Sequence, residues 1–520
     1  MTYENNITNF QKTLGIFYGL GYNINRIIGA GIFNPDRIFT LVQSPGIALV
    51  LYAFCGIISL LGGLIYIELG IRSLPAGLGE QKYITDAYPN ETNLGHVFSY
   101  VVIFIILPGA MVANSYNCAQ YILFVFRGYF NNDYDVIAVI ISVLILLVIT
   151  SYHLASKKLP DIINQTLAFV KITSLIIISV IGLVRLAGTD SDNWINIFKT
   201  SSNFDAYGLG TYGNGLIQIL YAYEGWNSAN YLIEEIIMPD PNNLAYPSLI
   251  LKYSSLISIA ISFLLYFFTN AAFITVLGNG LTQNEDIPIA LRFGKKLLPG
   301  TGENIMSIIV AISSFGSVSV MVFLFARIIK YAAETKFIPK ISNYLNRFSN
   351  RNILAKQLWA QFGYCLILTL LFSIKTNCFI FSSDTSQYLA MLSHAACAWC
   401  LYILKRTLLD EMDKADNNKP FSIPKYIILI YFSMIILIII TSLFPPKYGD
   451  IEYLIPYIIS WIATILGFIF WYYLNPKNRN EKSANENEET KDQVCELNIS
   501  HNDEIKQNSA EIYELTLKTP

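Results

Sequence analysis

Charge is what this chain has least of. Of its 520 residues only 14% are charged and 53% are hydrophobic, whereas an ordinary soluble domain carries about 25% charged residues. That shortage excludes a water-soluble globular protein. The formal net charge of −2 supplies no basic surface for nucleic acid. Histidine is equally sparse, with four in the whole chain, and no His, Cys and carboxylate cluster has metal-ligand spacing. No Ser-His-Asp arrangement is suggested either, so neither an enzyme nor a cofactor or metal is expected. The seven cysteines are scattered, mostly in apolar stretches. The Cys397/Cys400 pair in HAACAWC has redox-motif spacing, but inside an apolar helix it reads as packing.

What the chain has in quantity is apolar length. About 20 predominantly apolar residues span a bilayer as helix, and such runs recur along most of the sequence. They place spans at 14–42, 46–67, 96–126, 134–153, 163–187 and 209–236. Six more follow at 249–278, 302–333, 357–374, 387–404, 424–444 and 452–475. The expected fold is therefore an all-α membrane protein of 12 transmembrane helices lying in the lipid bilayer. The polar opening MTYENNITNF is not a cleavable signal peptide.

An even number of spans puts both termini on one side. Lysine and arginine concentrate in ARIIKYAAETKFIPKISNYLNRFSNRNILAK and LKRTLLDEMDKADNNKPFSIPK, loops on the same side as the termini. Cationic loops stay cytosolic during insertion, so both termini are expected in the cytosol. The sequons at Asn6, Asn90, Asn164 and Asn498 fall on that side or its edge and are not expected to be glycosylated. The polar, acidic segment 476–520 reads as a disordered tail.

Two stretches break the apolar pattern at membrane depth. In IIGAGIF, residues 27–33, Gly29 and Gly31 flank Ala30, and each glycine disfavours helix by about 1 kcal/mol relative to alanine. In YAYEGWNSANYLIEEI, Glu224 and Gly225 sit mid-span among Tyr221, Tyr223, Trp226 and Asn227. A carboxylate there costs about 2.5–3.5 kcal/mol on insertion scales and marks function. GAG alone could be a small-residue packing face; Glu224 is not explained that way. Transporters built from inverted repeats interrupt corresponding helices in each half. The first and sixth spans correspond if each repeat holds five helices, which divides the chain into a cytosolic segment 1–13, repeats at 14–187 and 209–404, and two added helices at 424–475. Free N–H groups and a positive dipole end at one break suit a carboxylate, and free C=O groups at the other suit an ammonium. A small amino acid carries both. From depth alone Arg26 is expected to pair with Glu224. Lys171, early in the fifth span, either snorkels to the interface or stands where a coupling ion would otherwise bind.

These residues resemble the amino acid–polyamine–organocation superfamily, and within it the L-type amino acid transporter family. The resemblance is carried by IIGAGIF with SPGIALVLYAFCGIISLLGGLIYIELG, by GEQKYITDAYPN, by YAYEGWNSANYLIEEI and by ISSFGSVSVMVFLFARIIKYAAETKFIP. ANSYNCAQYIL looks closest to fungal methionine permeases. The resemblance implies that the backbone of Ile28, Gly29, Ala30 and Gly31 holds the substrate carboxylate and part of the ammonium. It implies that Tyr221 closes over the substrate from outside, that the carbonyls of Ala222 and Glu224 meet the ammonium, and that Trp226 lies beside them. It implies a coupling role for Lys171 against Ser313, Ser314 and Ser317. Alanine at Ala30 and glutamate at Glu224 depart from the family's serine and glycine. The loop FRGYFNNDYD lacks the cysteine through which animal members bond a glycoprotein, so no disulfide-linked heavy chain is expected.

The expected activity is import of a neutral, large apolar, methionine-like amino acid across the plasma membrane by alternating access, coupled to a proton. An exchanger, a cationic amino acid or polyamine carrier, and a nutrient receptor that binds without transporting stay open.

Overall fold

A computed structural model describes residues 9–73, 79–91, 93–127, 134–156, 158–188, 190–199, 208–236, 245–282, 287–345, 354–372, 378–406, 421–446 and 451–474. The tail expected at 476–520, the centre of the cysteine-free loop and most of the 1–13 segment lie outside the described residues. Every regular element among the described residues is helical. In chain order these are α1 (Asn9–Ile27), α2 (Asp36–Val42), α3 (Pro45–Arg72), α4 (Gly79–Ala87), α5 (His96–Val125), α6 (Tyr134–Ala155), α7 (Lys158–Ala187), α8 (Leu209–Tyr223) and α9 (Ser228–Ile236). There follow α10 (Ala245–Leu277), α11 (Ile289–Leu297), α12 (Gly302–Glu334), α13 (Pro339–Leu345), α14 (Ala355–Phe372), α15 (Cys378–Leu404), α16 (Lys425–Ser442) and α17 (Ile455–Leu474).

Nine helices among the described residues are long and apolar enough to cross a membrane: α3, α5, α6, α7, α10, α12, α15, α16 and α17. The segments expected at 14–42 and 209–236 are each split between two shorter helices. The third, α14, is only 18 residues long and carries Lys356, Gln357 and Gln361 in its first two turns. On α6, Val136, Ile140, Leu144 and Val148 are all exposed. Their four-residue spacing makes one apolar stripe facing outward, the face a bilayer would cover.

Local chemistry explains how the helices start, bend and join. Ser44 caps α3 by accepting from the N–H of Ile47 (3.4 Å), with Pro45 at the first helical position. In α5, Pro108 cannot donate to the carbonyl of Phe104, four residues back. The helix widens to π geometry over Val102–Ile106, and the Tyr364 hydroxyl of α14 donates to the released Phe104 carbonyl at 2.8 Å. Buried Glu68 of α3 accepts from Arg72 (2.8 Å), from Lys405 beyond α15 (2.9 Å) and from the N–H of Ile423 (2.9 Å). One carboxylate thereby pins α3, α15 and the start of α16 together, with both of its oxygens satisfied.

Candidate site at the crossing of two interrupted helices

α1 packs among α7, α10 and α12, while α8 packs among α3, α15 and α16. The ladder of α1 ends at Ile27, because the Gly29 N–H turns back to the Ile27 carbonyl (2.8 Å). A single 3-10 turn, Gly31–Phe33, then leads to α2. α8 ends at Tyr223; Glu224 is extended (φ −64°, ψ 137°) and Gly225 has φ +121° before α9 resumes at Ser228. The two interruptions touch each other. A Cβ at Gly31 would lie 2.6 Å from the Cα of Ala222, and one at Gly225 would lie 2.3 Å from the Cγ of Arg26. Glycine is required at Gly225 twice over, by its φ and by this approach.

Ending a helix inside an apolar protein releases peptide groups that need partners. The carbonyls of the first break are answered by three helices. Lys171 of α7 donates to the carbonyls of Asn25 (2.7 Å) and Ile28 (2.6 Å). From α12, Ser313 lies at 3.0 Å from the Ile28 carbonyl and 3.1 Å from that of Gly29, and Ser317 donates to that of Arg26 (3.2 Å). Tyr266 of α10 stands between the breaks, its hydroxyl 2.8 Å from both the Ile27 and the Ala222 carbonyls. Asn114 of α5 accepts from the Ala30 N–H (3.3 Å) and donates to the Tyr221 hydroxyl (2.7 Å). Ser314 accepts from Asn117 (2.9 Å), which also accepts from Asn34 (2.8 Å).

Among the described residues, no backbone carbonyl accepts from the N–H of Gly31 or Ile32, and no backbone N–H reaches the carbonyls of Tyr223 or Glu224. The first pair stands at the positive start of the turn leading to α2; the second stands at the negative end of α8. Beyond Gly31 opens a cavity of about 560 Å³, lined among others by Asn34, Arg37, Asn117, Tyr221 and Asp384. Its size lies within the ~300–1,000 Å³ usual for small-molecule sites. Arg37 and Asp384 are ion-paired there at 2.7 Å.

The site residues named from the sequence divide into groups. Gly31 and Tyr221 line the large cavity. Ile28, Gly29 and Ala30 are not among its lining residues, and the Ile28 and Gly29 carbonyls are occupied by Lys171 and Ser313. The Ala222 carbonyl, assigned to an ammonium, lies 2.8 Å from the Tyr266 hydroxyl. Trp226 packs against Tyr66 and His394 (ring centroids 4.8 and 4.9 Å apart) and is not among the residues lining the large cavity. The direct Arg26–Glu224 pair is not formed. Glu224 engages His394 of α15 (3.1 Å), and both Arg26 and Glu224 line a second, small cavity of about 40 Å³. Depth in the sequence brought these two charges to one place, but it could not show that His394 stands nearer. Cys397 and Cys400 are buried and free.

Three polar partners of these segments escaped sequence reasoning. Tyr266 is one tyrosine in the apolar run SFLLYFF and gives no signal. Asn114 sits in ANSYNCAQYIL, whose polar content was visible but not assigned. His394 opens HAACAWC, where the cysteines drew notice and the histidine did not.

An all-helical membrane protein, with nine helices among the described residues long and apolar enough to cross a bilayer, is thus the class these observations define. Residues 14–470 match the amino acid permease family; the chain belongs to that family, within the superfamily and the L-type relation its motifs resemble. It is similar to the b(0,+)-type amino acid transporter 1 of Mus musculus, 25% identical over 472 residues that cover 90% of this chain and 89% of the relative. The Homo sapiens b(0,+)-type amino acid transporter 1 is likewise 25% identical, over 90% of each chain. The large neutral amino acids transporter small subunit 2 of Mus musculus is 27% identical over 335 residues, 64% of this chain and 60% of the relative. The relatives are amino acid transporters, not enzymes.

Proposed function

We propose that this protein is a secondary transporter that imports a neutral, large apolar amino acid, methionine-like in size, across the plasma membrane by alternating access with a proton. The observation that carries this reading is the pair of unpartnered peptide ends at the crossing. The Gly31 and Ile32 N–H groups would take the α-carboxylate, and the Tyr223 and Glu224 carbonyls the α-ammonium. A zwitterion supplies both charges on one carbon, and a large cavity opens at Gly31. Tyr221, which lines that cavity and is tethered by Asn114, would close the outer side. In this reading α1–α2 and α8–α9 are the broken first and sixth of 12 spans. They belong to inverted repeats at 14–187 and 209–404, with both termini cytosolic.

Two features argue against a cationic substrate. Glu224 already has His394 as partner, and Arg26 lines the same small cavity. The test is uptake of labelled L-methionine into proteoliposomes with L-leucine, L-lysine and spermidine as competitors. Competition by leucine alone supports the reading; competition by lysine or spermidine refutes its substrate class. Accumulation against a gradient, abolished by a protonophore, separates symport from exchange.

A further inference from the structure

We propose that Glu224 and His394 form a proton-binding dyad that carries the coupling proton of this transporter. The proposal rests on the transport reading above and moves the coupling role away from Lys171.

The argument begins with position. Glu224 belongs to the non-helical turn between α8 and α9, so its side chain moves with that break. His394 belongs to α15, a continuous helix packed on α5 and α16. Their contact, Oε2 to Nε2 at 3.1 Å, ties the interrupted segment to an uninterrupted one, and both side chains are buried. Adding or removing a charge there changes the strength of that tie directly.

The second step is proton chemistry. Imidazole is the side chain whose ordinary titration range lies nearest neutral pH. Here both ring nitrogens have partners, because Nδ1 lies 2.8 Å from the Tyr66 hydroxyl. With one ring proton, Nε2–H donates to Glu224 and Nδ1 accepts from Tyr66. With two, both nitrogens donate, and the Tyr66 oxygen becomes an acceptor by rotation of its hydroxyl. In the second state the Tyr66 O–H turns to Glu80 or Cys397, which also hydrogen-bond with that hydroxyl, so the dyad can gain or lose a proton without orphaning a buried polar group. Only O–H and N–H bonds form or break; the proton enters from water on one side and returns to water on the other.

The surroundings supply balancing charge and a path. Arg26 of α1 and Glu80 of α4 line the 40 Å³ cavity with Glu224 and His394, and that volume has room for water. Tyr231 of α9 donates to Glu80, as does Asn227 (3.0 Å). Tyr66 of α3, Cys397 of α15 and Tyr431 of α16 complete the titratable groups around the pair. Lys171 has no carboxylate partner among the described residues; two of its protons are engaged by the Asn25 and Ile28 carbonyls, a role in holding the break open.

The test uses the full-length protein in proteoliposomes with labelled L-methionine, comparing counterflow at equal pH with accumulation driven by an imposed inward proton gradient. In His394→Gln, gradient-driven accumulation is expected to be lost and to fall much further than counterflow, so that the ratio of the two collapses. Glu224→Gln is expected to lose it too. Tyr66→Phe keeps the imidazole but removes its hydroxyl partner, and is expected to shift the pH midpoint of uptake. It serves where the other variants fail to fold. Gradient-driven accumulation unchanged in His394→Gln, or an unmoved midpoint in Tyr66→Phe, overturns the proposal. So does counterflow without any gradient-driven accumulation in the unsubstituted protein. Absence of all methionine and leucine uptake by the unsubstituted protein instead removes the transport reading itself.

Discussion

Replacing Tyr266 by phenylalanine is the sharpest perturbation of the crossing, because it deletes one oxygen and little else. That hydroxyl lies 2.8 Å from the carbonyls of both Ile27 and Ala222. The consequences for the two acceptors differ. The Ile27 carbonyl also receives the Gly29 N–H at 2.8 Å and stays satisfied. The Ala222 carbonyl has no other donor among the described residues and is left buried without a partner. An orphaned buried carbonyl costs about 1–3 kcal/mol, which corresponds to about a 5–150-fold change in an equilibrium between arrangements with and without the crossing. Phenylalanine fills the same volume, so no cavity term adds. Tyr266→Phe should therefore lower the ratio of maximal rate to half-saturation for L-methionine uptake by a factor in that range. Tyr253→Phe, half-exposed on the same helix, should leave it unchanged. Uptake by Tyr266→Phe within twofold of the unsubstituted protein would refute the claim that this hydroxyl holds the two breaks together.

Three further outcomes follow from the same geometry. Gly31→Ala places a Cβ 2.6 Å from the Ala222 Cα; backbone must move, at about 1–3 kcal/mol or more. Uptake per inserted molecule should collapse while membrane insertion, measured by surface labelling, persists. Lys171→Met removes the donor for the Asn25 and Ile28 carbonyls, and thermal unfolding in detergent should report a loss of roughly 1–3 kcal/mol; an unchanged transition would remove its role at the break. Glu80 lies on α4, outside the apolar spans, where burial raises its carboxyl above the ordinary range against the opposing hydrogen bond from Tyr231. A carboxyl raised in the folded state contributes stability below its unfolded pKa of about 4.3 and loses it as pH rises through the folded value. Detergent melting temperatures should thus fall from acid toward neutral pH, and Glu80→Gln should flatten that decline; parallel curves would contradict the assignment.

The helices were readable because apolar length is a strong constraint, one that Val136, Ile140, Leu144 and Val148 still display as a stripe along α6. A glycine pair and a mid-span Glu-Gly are local features, and the helix limits at Ile27 and Tyr223 can be set beside them. What the sequence could not display is who answers the released groups. Tyr266 acts on residues 44 and 239 positions away, and His394 reaches Glu224 across 170. Such partners are chosen by packing, and a lone tyrosine or histidine in an apolar run looks the same whether it is used or not. The Tyr266 hydroxyl beside the Ala222 carbonyl was hidden for that reason. The twelve-span count met a related difficulty, since split helices and a short helix such as α14 lack the continuous apolar length that marks the other nine.

The most direct measurement asks whether the crossing grips both ends of an α-amino acid. Counterflow of labelled L-methionine should be inhibited by excess L-methionine and L-leucine, but not by N-acetyl-L-methionine, which lacks the ammonium, nor by L-methioninamide, which lacks the carboxylate. Equal inhibition by either blocked analogue would show that the free peptide groups at Gly31, Ile32, Tyr223 and Glu224 are not where the substrate is held.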